Sequence, residues 1–313
     1  MGTEFYLMSG DAQRALEDFS QDFMGAYVAS DVEEWSKTYG LSFTSKALKT
    51  TYPIPLATSG FTELVGDLKY RELFQRSLSL MPKTWQDGVE ELASRIEAPD
   101  FMGWGAFPAA MAADAKQLPN KLIATLLAAN GTSPLDNLAF FHSAHLINPL
   151  DSSAGTFDNL ISGAGTTPTA ANVKLAAQYF RTIKSPGGGP GGYRLTHILA
   201  PSVWEEDLRD ILEQALIIQE LGTSFAAVDN RHRGRAKVII SDELTGTAWY
   251  PLSLNKPGAF PWVVQDEGGF EEIVNDKISD HYKRTLKVSV AHILRMNAAL
   301  ALPQCVQEWE GTA

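Results

Sequence analysis

Between residues 69 and 130 the pattern of apolar and polar positions changes character twice. Residues 69–81, KYRELFQRSLSLM, and 83–96, KTWQDGVEELASRI, are polar, partly alternating segments separated by Pro82. Alternation predicts extended chain, and the two segments together predict a hairpin-like arm of two limbs. Such an arm has too little apolar surface to fold by itself, because an isolated two-stranded ribbon is marginal in water. It predicts a segment that lies on another molecule. Pro99 and Gly103 then punctuate the chain, and residues 106–130 read as a helical rod carrying Phe107, Met111, Leu118, Leu122, Ile123, Leu126 and Leu127. Gly131 stands where a helix C-terminal glycine belongs. Pro119 removes an interior hydrogen bond and predicts a kink, or a restart at Leu118.

The rest of the chain follows from the same periodicities. Residues 11–37 carry Leu16, Phe19, Phe23, Tyr27 and Trp35 at helical spacing, with an acidic opposite face. That is an amphipathic helix, docked either on its own domain or on a neighbour. Pro53 and Pro55 predict an extended connection leading through 61–73 into the arm. After the rod, Phe140 and Phe141 precede His142 and His145, and residues 151–167 turn to Ser, Gly, Thr and Asp, a loop. Thr167-Pro168 reads as a helix start, with Val173, Ala176, Ala177, Phe180 and Ile183 behind it and GGGPGG, 187–192, beyond. Residues 194–200 predict a strand, and Ser202 with Glu205 a capping box for a helix running through Leu221 to Gly222. Short strands are expected at 236–240 and 247–252, so residues 167–252 form a compact α/β unit. Residues 253–284 read as loop, and 285–296 alternate as a half-buried strand.

Composition narrows the class. The chain has 313 residues, 44% hydrophobic and 20% charged, enough for one large or two modest domains with a buried core. Net charge is −11, which disfavours nucleic acid as a generic partner. No stretch approaches the roughly 18 apolar residues of a membrane span, and the first residues lack the basic-then-apolar signal pattern. The single Cys305 allows no internal disulfide and reads as a small buried hydrophobe.

Candidate chemistry is thin. His142 and His145 stand three apart, but a metal needs three or four ligands and no HExxH or Cys-x-x-Cys accompanies them. GGGPGG lacks the Lys-Ser/Thr of a phosphate loop and precedes a strand, not a helix. RHRGRAK, 231–237, is the one dense basic run; it reads as a solvated turn or a contact with an acidic neighbour, with nucleic acid or another anion as the alternative. There is no G-x-S-x-G elbow. No catalytic, cofactor or metal site is expected, and the arm and the amphipathic N-terminus point to assembly.

The order of these features resembles the major capsid proteins of tailed phages, most closely the Mu-like major head subunit family. The carriers are PIPLATSGFTELVGDLKYREL at 53–73, the run 90–103, LPNKLIATLLAANG leading into LAFFHSAH, and YRLTHILAPSVWEEDLRDIL at 193–212. Phe140, Phe141 and His145 match the family's FF-x-x-x-H segment, and Thr196, His197, Ile198 and Pro201 its strand-to-helix element. The resemblance implies an α+β, HK97-type phage capsid fold. Its parts would be an N-terminal arm (1–48), an extended loop and its connections (49–98), a peripheral domain with a long spine helix (99–166), an axial α/β domain (167–252) and a return to the peripheral domain (253–313). It implies no enzymatic activity and no cofactor. The implied product is an icosahedral virion shell of hexamers and pentamers, assembled in the bacterial cytoplasm around non-specifically held double-stranded DNA. Implied partners are a scaffolding protein, a portal and a decoration protein, with no membrane. The shell would be non-covalent, with the arm lying on one neighbour and the N-terminal helix beneath another. An encapsulin-like compartment shares the fold and is the alternative; a soluble enzyme using the two histidines is a third.

Overall fold

The structure is a computed structural model, and it describes residues 2–55, 75–98, 103–149, 151–185, 189–221 and 224–312. The chain opens with helix α1 (Gly2–Ala29), a short α2 (Trp35–Tyr39) and strands β1 (Leu41–Thr44), β2 (Thr50–Pro55), β3 (Gln75–Leu80) and β4 (Lys83–Leu92). One turn, α3 (Ala93–Ile96), leads into the 23-residue α4 (Phe107–Ala129). Three two-residue strands follow: β5 (His145–Leu146), β6 (Thr156–Phe157) and β7 (Leu160–Ile161). Next come α5 (Ala170–Thr182), β8 (His197–Ala200), α6 (Glu205–Leu212), β9 (Leu216–Leu221), β10 (Ser224–Asp229), β11 (Lys237–Ile240) and β12 (Tyr250–Leu252). The chain ends with β13 (Trp262–Asp266), β14 (Glu271–Asn275), α7 (Asp280–Thr285), β15 (Lys287–Leu300) and β16 (Glu308–Trp309).

A five-stranded sheet is built on the 14-residue β15. β4 pairs along one edge of it, from Lys83↔Met296 to Leu92↔Lys287. On the other edge β13 pairs first and β14 after it, and β1 adds to β13 in parallel. Between Asp266↔Met296 and Glu271↔Ile293 the chain takes five steps against three on β15. The two surplus residues fall at Gly268 and Gly269, whose φ of 75° and 88° suits glycine. Every second residue of β15 from Val288 to Leu300 is buried, the alternation a sheet shows when one face is covered. The cover is α4 with α1: Leu16, Phe19 and Phe23 pack with Met111, Ala112, Val288 and Val290.

The α/β unit has its own core. Its three-stranded sheet runs β11-β8-β12, with β11 parallel and β12 antiparallel to β8. Val173, Ala176 and Phe180 of α5 and Leu208 and Leu212 of α6 close over it. A further cluster joins unit and sheet, because Trp35, Ile123, Leu127, Phe140, Phe141, Leu252, Trp262 and Met296 all share it. Polar anchors fix the seam: Trp35 Nε1 donates to Ser241 Oγ (3.1 Å) and Trp262 Nε1 to Ser36 O (2.7 Å).

Several expectations change. The two limbs of the arm do not pair with each other. The first, β3, pairs with β2 from Thr50↔Leu80 to Pro55↔Gln75, and the second, β4, belongs to the large sheet. Residues 61–74, Pro99, Gly187, Gly188 and Gly222 lie outside the described residues. The expected helix over 11–37 is two, α1 and α2, and the buried stripe of α1 packs on its own chain. α4 runs through Pro119 without restarting. Its left-handed cap is Asn130 (φ 43°), not Gly131. Asn130 Oδ1 accepts from Phe141 N (2.6 Å) and its Nδ2 donates to Phe141 O (3.1 Å), which holds a conformation asparagine tolerates.

Further along, α5 is capped by Thr169, whose Oγ1 accepts from Asn172 N (3.2 Å), so it starts two residues beyond the Thr167-Pro168 signal. No capping box forms at Ser202, because a 3₁₀ turn, Ser202–Trp204, intervenes. The expected helix to Leu221 stops at Leu212. Asn230 Nδ2 donates to Ile211 O (2.8 Å) and Gln214 O (2.9 Å), taking carbonyls a longer helix would have used, and β9 pairs antiparallel with β10 from Leu216↔Asp229 to Leu221↔Ser224. Residues 253–284, expected as loop, contain β13, β14 and α7. The last residues leave the large sheet: β16 pairs with β7, and Trp309 and Cys305 join the α/β core.

Candidate functional site

The two histidines come first, being the pair the sequence offers for chemistry. His145 is fully buried, with Nδ1 2.8 Å from Asp136 Oδ2 and Nε2 2.9 Å from Phe140 O. Burial alone would raise the Asp136 carboxyl. His145 and the hydrogen bonds from the N–H groups of Leu138 and Leu146 together outweigh it and hold the carboxyl below its ordinary range. His142 turns its Nδ1 to Ala144 N (3.0 Å). These are structural bonds that tie the loop after α4 together. Among the described residues no cluster of three or more His, Cys, Asp or Glu is placed to hold a metal. Cys305 is fully buried and its thiol is pushed up to about 12, so it is no nucleophile near neutrality. In the glycine run, Gly191 N donates to Ile183 O (2.8 Å), so that amide faces the chain itself.

What remains are surfaces. Among the described residues β2 and β3 pair only with each other. The inward face of this ribbon is anchored: Leu80 packs on Val263 and Ala301, and Tyr52 lies on Phe43 with centroids 4.0 Å apart. The outward face, Thr51, Pro53, Ser77 and Ser79, is open to solvent, with Thr51 and Ser79 joined hydroxyl to hydroxyl (3.2 Å). A second surface is the seat of α1. Phe23 stacks on His292 at 4.0 Å and meets Phe270 edge-on at 5.1 Å, and Phe19 meets Trp104 edge-on at 5.3 Å. Burial depresses the His292 imidazole, against the opposing pull of Glu272 and Asp87, the residues directly beside it on β14 and β4. Its Nδ1 is buried and has no hydrogen-bond partner among the described residues.

A third feature is not legible in the sequence, because nothing local distinguishes one buried polar residue of α4 from its exposed polar neighbours. Asn120 of α4 is fully buried. Its Oδ1 accepts from Ser36 N (3.1 Å) and its Nδ2 donates to Glu33 O (2.7 Å). It pins the segment between α1 and α2 onto the rod.

Two family models match the chain. One, phage capsid protein, covers residues 93–295, and the other, Mu-like prophage major head subunit gpT, covers 13–169. The chain belongs to the phage capsid protein family. Members of this family are structural proteins of the virion, and the α+β architecture described above is the HK97-type capsid fold. Among solved structures, the procapsid of bacteriophage JBD30 matches with 14% identity and a TM-score of 0.50, over 93% of this chain and 71% of that one. The capsid of bacteriophage JBD30 matches with 13% identity and a TM-score of 0.55, over 69% of this chain and 92% of that one. A chain of Microbacterium phage Oxtober96 matches with 11% identity and a TM-score of 0.52, over 89% and 93%. No curated protein matches. In this phage capsid protein the ribbon, the α1 seat and the rod are therefore read as parts of a shell subunit.

Proposed function

We propose that this chain is the major head subunit of a tailed bacteriophage, closing as hexamers and pentamers into an icosahedral shell around double-stranded DNA in the host cytoplasm. The observation that carries the reading is the pair of family matches, which overlap and together span residues 13–295. The anchored ribbon fits it: its base is part of the subunit core and its outer face is left for a neighbour. Within this reading residues 1–48 are the N-terminal arm and 49–98 hold the extended loop, with β2 and β3 as its limbs and β4 as its root in the sheet. Residues 99–166 contribute the spine helix α4 to the peripheral domain, 167–252 are the axial domain, and 253–313 return through β13, β14 and β15 before rejoining the axial core. A scaffolding protein and a portal are the partners such a shell needs. One similar solved structure, a capsid of bacteriophage JBD30 decorated with minor capsid protein trimers, supports a decoration protein as a third. The net charge of −11 makes contact with the genome non-specific and mediated by cations.

The test is assembly. Co-expressed with its scaffold, the chain is expected to sediment as closed shells visible by negative-stain microscopy. Only monomers and dimers under every assembly condition would overturn the reading.

A further inference from the structure

The basic run at 231–237 is a built surface. Its backbone is held on the end of α6: Asn230 is buried, its Oδ1 accepts from His232 N (2.9 Å), and Gly234, at φ 69°, donates its N–H to Leu212 O (2.8 Å). From this frame Arg231, Arg233 and Lys237 point into solvent. Lys174 and Arg235 stand close enough to act on the His232 imidazole, which burial and then these two charges hold below its ordinary value. Among the described residues none of these five cations is in an ion pair. In a chain carrying 37 carboxylates against 26 cations, four unpaired cations on one rigid turn, with Lys174 of α5 beside them, call for an acidic partner.

The other end of the same helix is its complement. The first turn of α6 carries Glu205, Glu206 and Asp207. Arg209 takes Glu205 (2.9 Å), while Glu206 and Asp207 are exposed and in no ion pair among the described residues. Each end also has one exposed apolar side chain: Val203, 59% exposed, beside the acidic turn, and Leu216, 53% exposed, beside the basic one. Eight residues at 1.5 Å rise separate the two ends by about 12 Å. A patch facing its own copy would repel, so the fitting contact is head to tail, which closes into a ring when the rotation allows.

We infer that the 231–237 turn of one copy binds the acidic start of α6 on the next copy of this chain, and that this contact orders the subunits within a ring. The inference rests on the shell reading above and names the partner of one of its surfaces. DNA is the other polyanion at hand. Leu216 beside the cations and the acidic remainder of the surface favour a protein partner.

The test uses the full chain co-expressed with its scaffold. Arg231→Glu with Arg233→Glu, and separately Glu206→Lys with Asp207→Lys, are each expected to lower the yield of shells by at least about tenfold, since like charges then face each other. All four substitutions together should restore it. Thermal melting of each purified subunit separates misfolding from misassembly. If wild type forms no shells, the shell reading itself fails. If wild type and both double variants form shells alike, the inference alone is overturned, as it is if the fourfold variant, folded, stays unassembled. Shells of the arginine variant formed at full yield but retaining less DNA would place the turn against the genome and overturn it too.

Discussion

Phe23→Ala tests whether the N-terminal helix is a dockable part of this subunit or an integral one. Phe23 is 1% exposed, stacked on His292 and edge-on to Phe270. A buried Phe→Ala change costs about 3–5 kcal/mol where the surroundings cannot collapse. The described part of α1 is held chiefly by Leu16, Phe19 and Phe23. At roughly 1.5–3 kcal/mol each, they contribute on the order of 5–9 kcal/mol before the entropy of ordering the helix is set against them. Losing Phe23 removes a third or more of that, so the helix should open while the sheet on β15 stays folded. The cost then saturates at the docking free energy of α1. Hydrogen exchange reads this directly: the α1 amides should lose roughly two to three orders of magnitude of protection while those of β15 keep theirs. Proteolysis should move to residues 30–34, between α1 and α2. Equal loss of protection in α1 and β15 would refute the reasoning, because α1 would then unfold only with the whole subunit. So would unchanged protection in α1.

Four further outcomes are expected. His292 is depressed by burial, so the folded protein takes up that proton at lower pH than the unfolded chain; stability should be full above the ordinary value of 6.5 and fall as pH drops below it. His292→Phe should flatten that slope in pH-dependent melting, leaving the part due to the other depressed histidines, His197 and His232. Asn120→Ala leaves Ser36 N and Glu33 O without their partner and should cost about 2–4 kcal/mol in urea unfolding; a change below about 0.5 kcal/mol would show that water replaces the side chain. Replacing residues 56–74 by a short Gly-Ser turn should abolish shells yet move the melting temperature of the subunit little, and a collapse of cooperative unfolding would contradict the ribbon's assembly role. Finally, particles boiled in detergent should run as one band near 34.2 kDa. The hydrogen bond from Lys287 holds the carboxyl of Glu90 on β4 below its usual range, which makes it a poor base for any covalent joining of the subunits; a reductant-resistant ladder would refute this.

How far the sequence could be read depended on where the deciding partner lies. α4 was legible because its own 3.6-residue pattern specifies it, and β15 because alternation from Val288 onward marks a covered face. The alternation in 83–92 likewise predicted extended chain, but nothing local says that its partner is β15, two hundred residues on, instead of β3 next door. β13 was missed for the opposite reason: WVVQD is buried on both faces, so it does not alternate, and its flanking Pro and Gly read as loop. In α6 the apolar period continues past Leu212, and what ends the helix is an asparagine beyond β10. The surfaces follow the same rule. The polar character of the ribbon was visible, yet its anchor, Leu80 on Val263 and Ala301, is non-local. The basic run could be counted in the sequence, but only the fold puts it at one end of α6 with an acidic turn at the other. That polarity makes the turn a candidate ring contact, and charge reversal at both ends of one helix is the perturbation that can separate it from a merely solvated loop.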